Sequence, residues 1–131
     1  TMTLMLSKDQ SREALGGRLH VTLGEKELFL DRNNPSITLG RQAQNDLMVN
    51  DSIASRSHAR IEYHRGKFVL IDQSTNGTYV RMQGENPVFL HHDELVLGAS
   101  GMIGLGREAE SESPDVVHFA CIYHEDPPSR S

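Results

Sequence analysis

Leu19, Val21 and Leu23 alternate with Arg18, His20 and Thr22, the two-residue period of a strand with one face buried. Similar short apolar runs recur along the chain. They fall at Lys26–Leu30, Ile37–Leu39, Leu47–Val49, Ala59–Tyr63, Phe68–Ile71, Tyr79–Val80, Val88–Leu90, Leu95–Leu97, Met102–Leu105 and Val116–Tyr123. No segment keeps a 3.6-residue period. About ten to eleven short strands at intervals of roughly 8–12 residues predict an all-β sandwich, mostly antiparallel. Gly24-Glu25 predicts a turn closing a hairpin between the first two strands, and Arg65-Gly66 predicts another turn. Asn33-Asn34-Pro35 breaks the pattern. Asn76-Gly77 is the strongest hairpin or tight-turn signal in the chain. The longest irregular loops are expected in the middle third, and the acidic stretch 107–115 reads as a solvated loop. The predicted domain is 16–124, with residues 1–15 a lead-in arm or linker and 125–131 a flexible tail.

Composition narrows the functional classes. Of 131 residues, 37% are hydrophobic and 24% charged, an ordinary globular balance. Aromatics make up 5% with no Trp, and the net charge is −5. Both argue against nucleic acid as the partner, since base stacking and phosphodiester attraction are poorly supplied. No apolar run reaches the roughly 18–20 residues of a membrane span, and no signal-peptide pattern opens the chain. A cytoplasmic setting is expected. The single cysteine, Cys121, excludes an intramolecular disulfide and a multi-cysteine zinc site; its place on the apolar side of the last strand predicts a core thiol. The chain starts with Thr1 and not Met, which suggests a piece of a longer protein.

The charge is unevenly spread. Gly40 to Arg81 carries six Lys/Arg against four Asp/Glu, net +2, while the remainder nets −7. That is either a drift of solvated faces or a local anion site. Within this segment Gly40-Arg41, Ser55-Arg56-Ser57-His58, Asp72 and Ser74-Thr75-Asn76-Gly77-Thr78 stand in order. Gly40 frees the backbone to turn and leaves Arg41, a fork of guanidinium donors, at a loop root. Ser55 offers a hydroxyl, and the successive N–H groups of 55–57 can form an anion nest. His58, just before a strand, can pin neighbouring loops. The Asn76-Gly77 turn can present an amide whose donor and acceptor match one peptide unit.

Together these stretches resemble the forkhead-associated (FHA) domain, with its Gly-Arg, Ser-x-x-His and Asn-Gly-Thr motifs on a β-sandwich. Thirteen residues separate Arg41 from Ser55 and seventeen separate His58 from Asn76; the resemblance covers about residues 17–124. It implies a non-catalytic module of signal transduction that binds a phosphothreonine-containing protein or peptide. By family role Arg41 grips the phosphate, Ser55 donates its hydroxyl to it, and Arg56 adds a backbone N–H and charge. Thr75 lies in the next binding loop and Asn76 holds the ligand's main chain. Gly40, His58 and Gly77 are architectural in the family. The sequence departs from the family pattern at Arg56, Arg81 and His92-Asp93, where Asn, Asn and Gly-Asp are usual; Arg81 is expected to bear on selectivity.

Other chemistries fare worse. Ser55, His58 and Asp72 lack any Gly-x-Ser-x-Gly elbow, and a Ser and His three apart have no reason to meet as nucleophile and base. No catalytic residue, metal ligand or cofactor is expected. His91-His92 on a strand would point to opposite faces, and Gly98, Gly101, Gly104 and Gly106 suit close-packed β turns better than a dinucleotide loop. The rival reading is a phospho-independent interaction or oligomerisation module with an in-chain partner domain. The chain also resembles FHA modules of bacterial class III adenylate/guanylate cyclases.

Overall fold

The computed structural model describes residues 17–123, so the lead-in arm 1–15 and the tail 125–131 lie outside the described residues. Among the described residues eleven strands occur: β1 (Gly17–Leu23), β2 (Lys26–Leu30), β3 (Ser36–Gly40), β4 (Leu47–Met48), β5 (Ala59–His64), β6 (Lys67–Asp72), β7 (Thr78–Met82), β8 (Val88–Leu90), β9 (Glu94–Leu97), β10 (Ser100–Leu105) and β11 (Val117–Tyr123). They form two sheets, ordered β2-β1-β11-β10-β7-β8 and β4-β3-β5-β6-β9. Every pairing is antiparallel except β3 with β4. Among the described residues no helix is long and apolar enough to cross a membrane.

Alternation explains the layers. Leu19, Val21, Ile103, Val117 and Phe119 bury from one sheet, and Ile37, Leu39, Ile61, Phe68 and Leu70 from the other. Burying a side chain of this size contributes about 1.5–3 kcal/mol. Cys121 is half-buried and packs against the edge of this core.

The turns carry the chain chemistry expected of them. Gly24 (φ 61°) begins the two-residue loop that pairs Leu23 with Lys26, the position where a hairpin turn favours Gly. Arg65 (φ 51°) and Gly66 (φ 84°) close the β5–β6 hairpin, with His64 opposite Lys67. Asn76-Gly77 is a tight turn but closes no hairpin: β6 belongs to one sheet and β7 to the other. Further expectations are corrected. The longest irregular stretch is 106–116, between β10 and β11, and not in the middle third. It is not simply solvated either, for Ala109 and Val116 are buried. His91 and His92 lie in the bend after β8, where the left-handed backbone of His92 (φ 57°) brings the two rings edge to face at 4.5 Å. Gly101 and Gly104 stand within β10, where a Cβ would lie 2.2 Å from the carbonyls of Arg81 and Arg107 respectively.

Candidate functional site

Three connections meet at one end of the sandwich: the start of the β3–β4 loop, the β4–β5 loop 49–58, and the β6–β7 turn 73–77. Their register is set by backbone bonds. Arg41 N–H donates to the Ser55 carbonyl (2.9 Å), Gln42 N–H to Arg56 (3.2 Å) and His58 N–H to Leu39 (2.9 Å). This lacing brings Arg56 O within 2.2 Å of where a Gly40 Cβ would stand, so any larger residue would push the β4–β5 loop away.

His58 is completely buried. Its Nδ1 accepts the Ser55 backbone N–H (2.9 Å), so Nδ1 carries no proton. The proton is on Nε2, which donates to the Gly77 carbonyl (2.8 Å). Burial holds the ring's pKa below the usual histidine value, although Gly77 and Asp72 pull the other way. The ring is neutral, and its 3.8 Å approach to Asp72 is not an ion pair. Because Ser55 N–H is committed to His58, an anion nest here narrows to the N–H groups of Arg56 and Ser57.

Behind the β6–β7 turn sits the buried Asp72 carboxylate. Oδ1 accepts from Ser74 Oγ (2.6 Å) and Thr78 Oγ1 (2.5 Å), and Oδ2 from the N–H groups of His92 (2.7 Å) and Ser74 (3.2 Å). Burial alone would push this carboxyl up; the four donors outweigh it and hold the group below the usual carboxylate range. Ser74 Oγ in turn accepts Gly77 N–H (2.7 Å). Gly77 has φ 89°, and a Cβ there would meet the Phe89 ring at 2.3 Å. Sequence and packing both require glycine at this position.

Upon this frame Arg41, Ser55, Arg56, Thr75 and Asn76 line a single open pocket of about 390 Å3, joined by Ser52, Ile53 and Ala54. Ser55 Oγ accepts Thr75 N–H (3.0 Å), which leaves its hydroxyl proton to donate elsewhere. Arg41 is exposed, with Nε anchored on the Ala54 carbonyl (3.0 Å); its Nη groups keep their donors for a ligand. Asn76 Nδ2 donates to the Ile53 carbonyl (3.1 Å), so the amide is braced on the facing loop. The lining holds two arginines and no carboxylate. The +2 of the segment is therefore only partly a site charge, because Arg60 pairs with Glu62. Arg81 is exposed on β7, opposite Met102, and does not line the pocket. Ser52, Ile53 and Ala54 were not singled out by sequence; only their place in the loop before Ser55 could have marked them.

A β-sandwich with an arginine-lined pocket between its end loops is the architecture that the resemblance to forkhead-associated domains implies. Residues 37–98 match the family model described as FHA domain, which identifies this stretch of the chain as an FHA domain. Among curated proteins it is 34% identical over 80 residues to the oxoglutarate dehydrogenase inhibitor of Corynebacterium glutamicum, covering 60% of this chain and 56% of that protein. It is 31% identical over 83 residues to the glycogen accumulation regulator GarA of Mycolicibacterium smegmatis, covering 62% and 52%. The chain thus spans about half the length of these relatives. In fold it is similar to the Rv1747 FHA-1 domain of Mycobacterium tuberculosis (TM-score 0.58, 20% identity, 81% of this chain and 97% of that one). It is also similar to the N-terminal FHA domain of S. cerevisiae Rad53p solved with a phosphothreonine peptide (TM-score 0.56, 22% identity, 83% and 94%).

Proposed function

We propose that this domain is a phosphothreonine-peptide-binding module that acts in signal transduction. One observation carries the reading: Arg41, Arg56, the Ser55 hydroxyl and the Asn76 amide surround one open pocket whose lining has no carboxylate. A phosphate dianion needs charge-assisted donors from more than one direction, and this arrangement supplies them. In the proposed complex Arg41 forks onto the phosphate, Ser55 donates its free hydroxyl proton, and Arg56 contributes N–H and charge. Thr75 borders the ligand and Asn76 bonds its main chain. Arg81 is proposed to bias selectivity from outside the phosphate pocket. The domain binds and does not catalyse: His58 is occupied by a backbone N–H and a carbonyl and offers no base to Ser55 Oγ. The regulator names of the relatives support a signalling setting, whereas a cyclase context rests on sequence resemblance alone.

Titration with an oriented phosphothreonine-peptide library, followed by calorimetry on the selected peptide and its dephosphorylated form, tests the proposal. Binding that disappears on dephosphorylation is expected. Equal affinity for both forms would turn the reading to the phospho-independent interaction module.

A further inference from the structure

The pocket's outer loop is held from a place that none of the motifs touches. Arg107, in the stretch after β10, forks onto Asp51 in the β4–β5 loop, with Nε to Oδ2 at 2.7 Å and Nη2 to Oδ1 at 3.1 Å. The Asp51 side chain is only 13% exposed, and that of Arg107 57%. Asp51 Oδ1 also accepts Ile53 N–H (3.2 Å), and its carbonyl accepts Ala54 N–H (2.9 Å), so the carboxylate heads a tight turn through 51–54. That turn's own carbonyls then do something specific. Ile53 O receives the Asn76 side-chain amide, and Ala54 O receives Arg41 Nε.

We infer that Arg107 and Asp51 are positioning residues of the pocket: the ion pair fixes the 51–54 turn, and the turn's carbonyls aim Asn76 and Arg41. The chain of contact is continuous, running from guanidinium to carboxylate to turn to the two side chains. Gly106 adds to it. With φ 86° it lets the backbone come within 2.7 Å, measured from where a Cβ would stand, of the Ile53 carbonyl. Its N–H donates to the Gly77 carbonyl (2.9 Å), the same acceptor that His58 uses. The Arg107 bond also holds the Asp51 carboxyl below its usual range, with the Ile53 N–H acting in the same direction. A bidentate Arg–carboxylate pair constrains orientation as well as charge, so lysine is not an equivalent replacement.

The inference deepens the phosphopeptide reading, yet one arm of its test needs no ligand. In nitrogen–proton correlation spectra of the free protein, Arg107→Gln should move the Arg41 Nε–H and Asn76 side-chain amide signals. Those of core strands such as β5 should stay in place. With the phosphothreonine peptide selected above, Arg107→Gln and Asp51→Asn should each weaken binding about three- to tenfold, within the range seen for coupled neighbours. The double variant should be little worse than either. Arg107→Lys should recover only part of the loss, and Arg32→Gln, which removes one charge from an exposed loop at Asp31–Asn34, should bind like the parent. Unmoved Arg41 and Asn76 signals would overturn the inference, as would additive losses in the double variant. A parent protein that binds no phosphothreonine peptide would instead defeat the proposed function, and the spectra would still decide the positioning.

Discussion

Arg41 is fixed at one nitrogen and free at the rest of its fork, which makes it the side chain whose removal reads the pocket most directly. A hydrogen bond to a charged group contributes about 1.5–3 kcal/mol. Arg41→Ala should therefore weaken the phosphothreonine peptide by roughly ten- to a hundredfold, with the thermal midpoint nearly unchanged because the residue is exposed. Calorimetry and a melting curve check both halves. The ligand's own methyl group gives a second measurement at this scale. One buried methyl contributes about 0.8 kcal/mol, so the same peptide with phosphoserine should bind at least about fourfold more weakly. Equal affinities would leave an anion site but remove the threonine-specific mechanism. Binding should also fade as pH falls through about 6, where phosphate takes up its second proton.

At the level of strands and turns, the sequence pattern was readable where the side chain itself decides the conformation. Leu19-Val21 and Phe68-Leu70 alternate with polar neighbours because one sheet face is buried, and Gly24 and Gly66 mark turns that need their backbone freedom. The motif residues were legible as a set, since Gly40, His58 and Gly77 each have a local reason to be what they are. What the chain could not reveal is a contact made across distance. Nothing near Arg107 distinguishes it from a charge in a solvated loop, and its partner lies 56 positions away. His92 was unreadable for a related reason: its left-handed backbone is held by Asp72 and by the bond between Nε2 and the Ser74 carbonyl (3.0 Å), not by a glycine. Arg65 offers a simple trial of turn chemistry. Its left-handed φ costs an ordinary side chain about 1–2 kcal/mol, and asparagine tolerates it better. Arg65→Asn should raise stability by about 0.5 kcal/mol in urea unfolding. Gly77→Ala should lower it by at least about 1–3 kcal/mol, since the new Cβ meets both a strained backbone and the Phe89 ring. A Gly77→Ala protein as stable as the parent would mean that the turn can relax away from Phe89.

For the molecule as a whole, stability should depend on pH through groups that the fold keeps in one protonation state. His58 is held neutral by burial. The unfolded chain takes up a proton near the ordinary histidine value of 6.5, while the folded chain refuses it until lower pH. Protons therefore favour unfolding, and the His58 contribution is fully present above about 6.5 and is lost as pH falls through its depressed folded value. The carboxylates follow in a lower window: Asp51, Glu62 and Asp72 all sit below their usual range. Their stabilisation is present above about pH 4 and lost on further acidification. Urea midpoints measured from pH 7.5 downward should show the first decline below about 6.5; a flat curve between pH 7 and 5 would contradict a buried neutral His58. A last consequence comes from the pairing of Gly17 with Tyr123. The described domain opens and closes on adjacent strands, roughly 4.8 Å apart. β10 reaches the pocket end at Leu105, and β11 runs back from Val117 to finish at the opposite pole. Both ends of the described domain, Gly17 and Tyr123, therefore lie at the pole away from the pocket. Cut to residues 17–123 and tethered to a bead or placed between two fluorescent reporters, the domain would keep its pocket facing outward, and a circularly permuted version needs only a short bridge between those two strands.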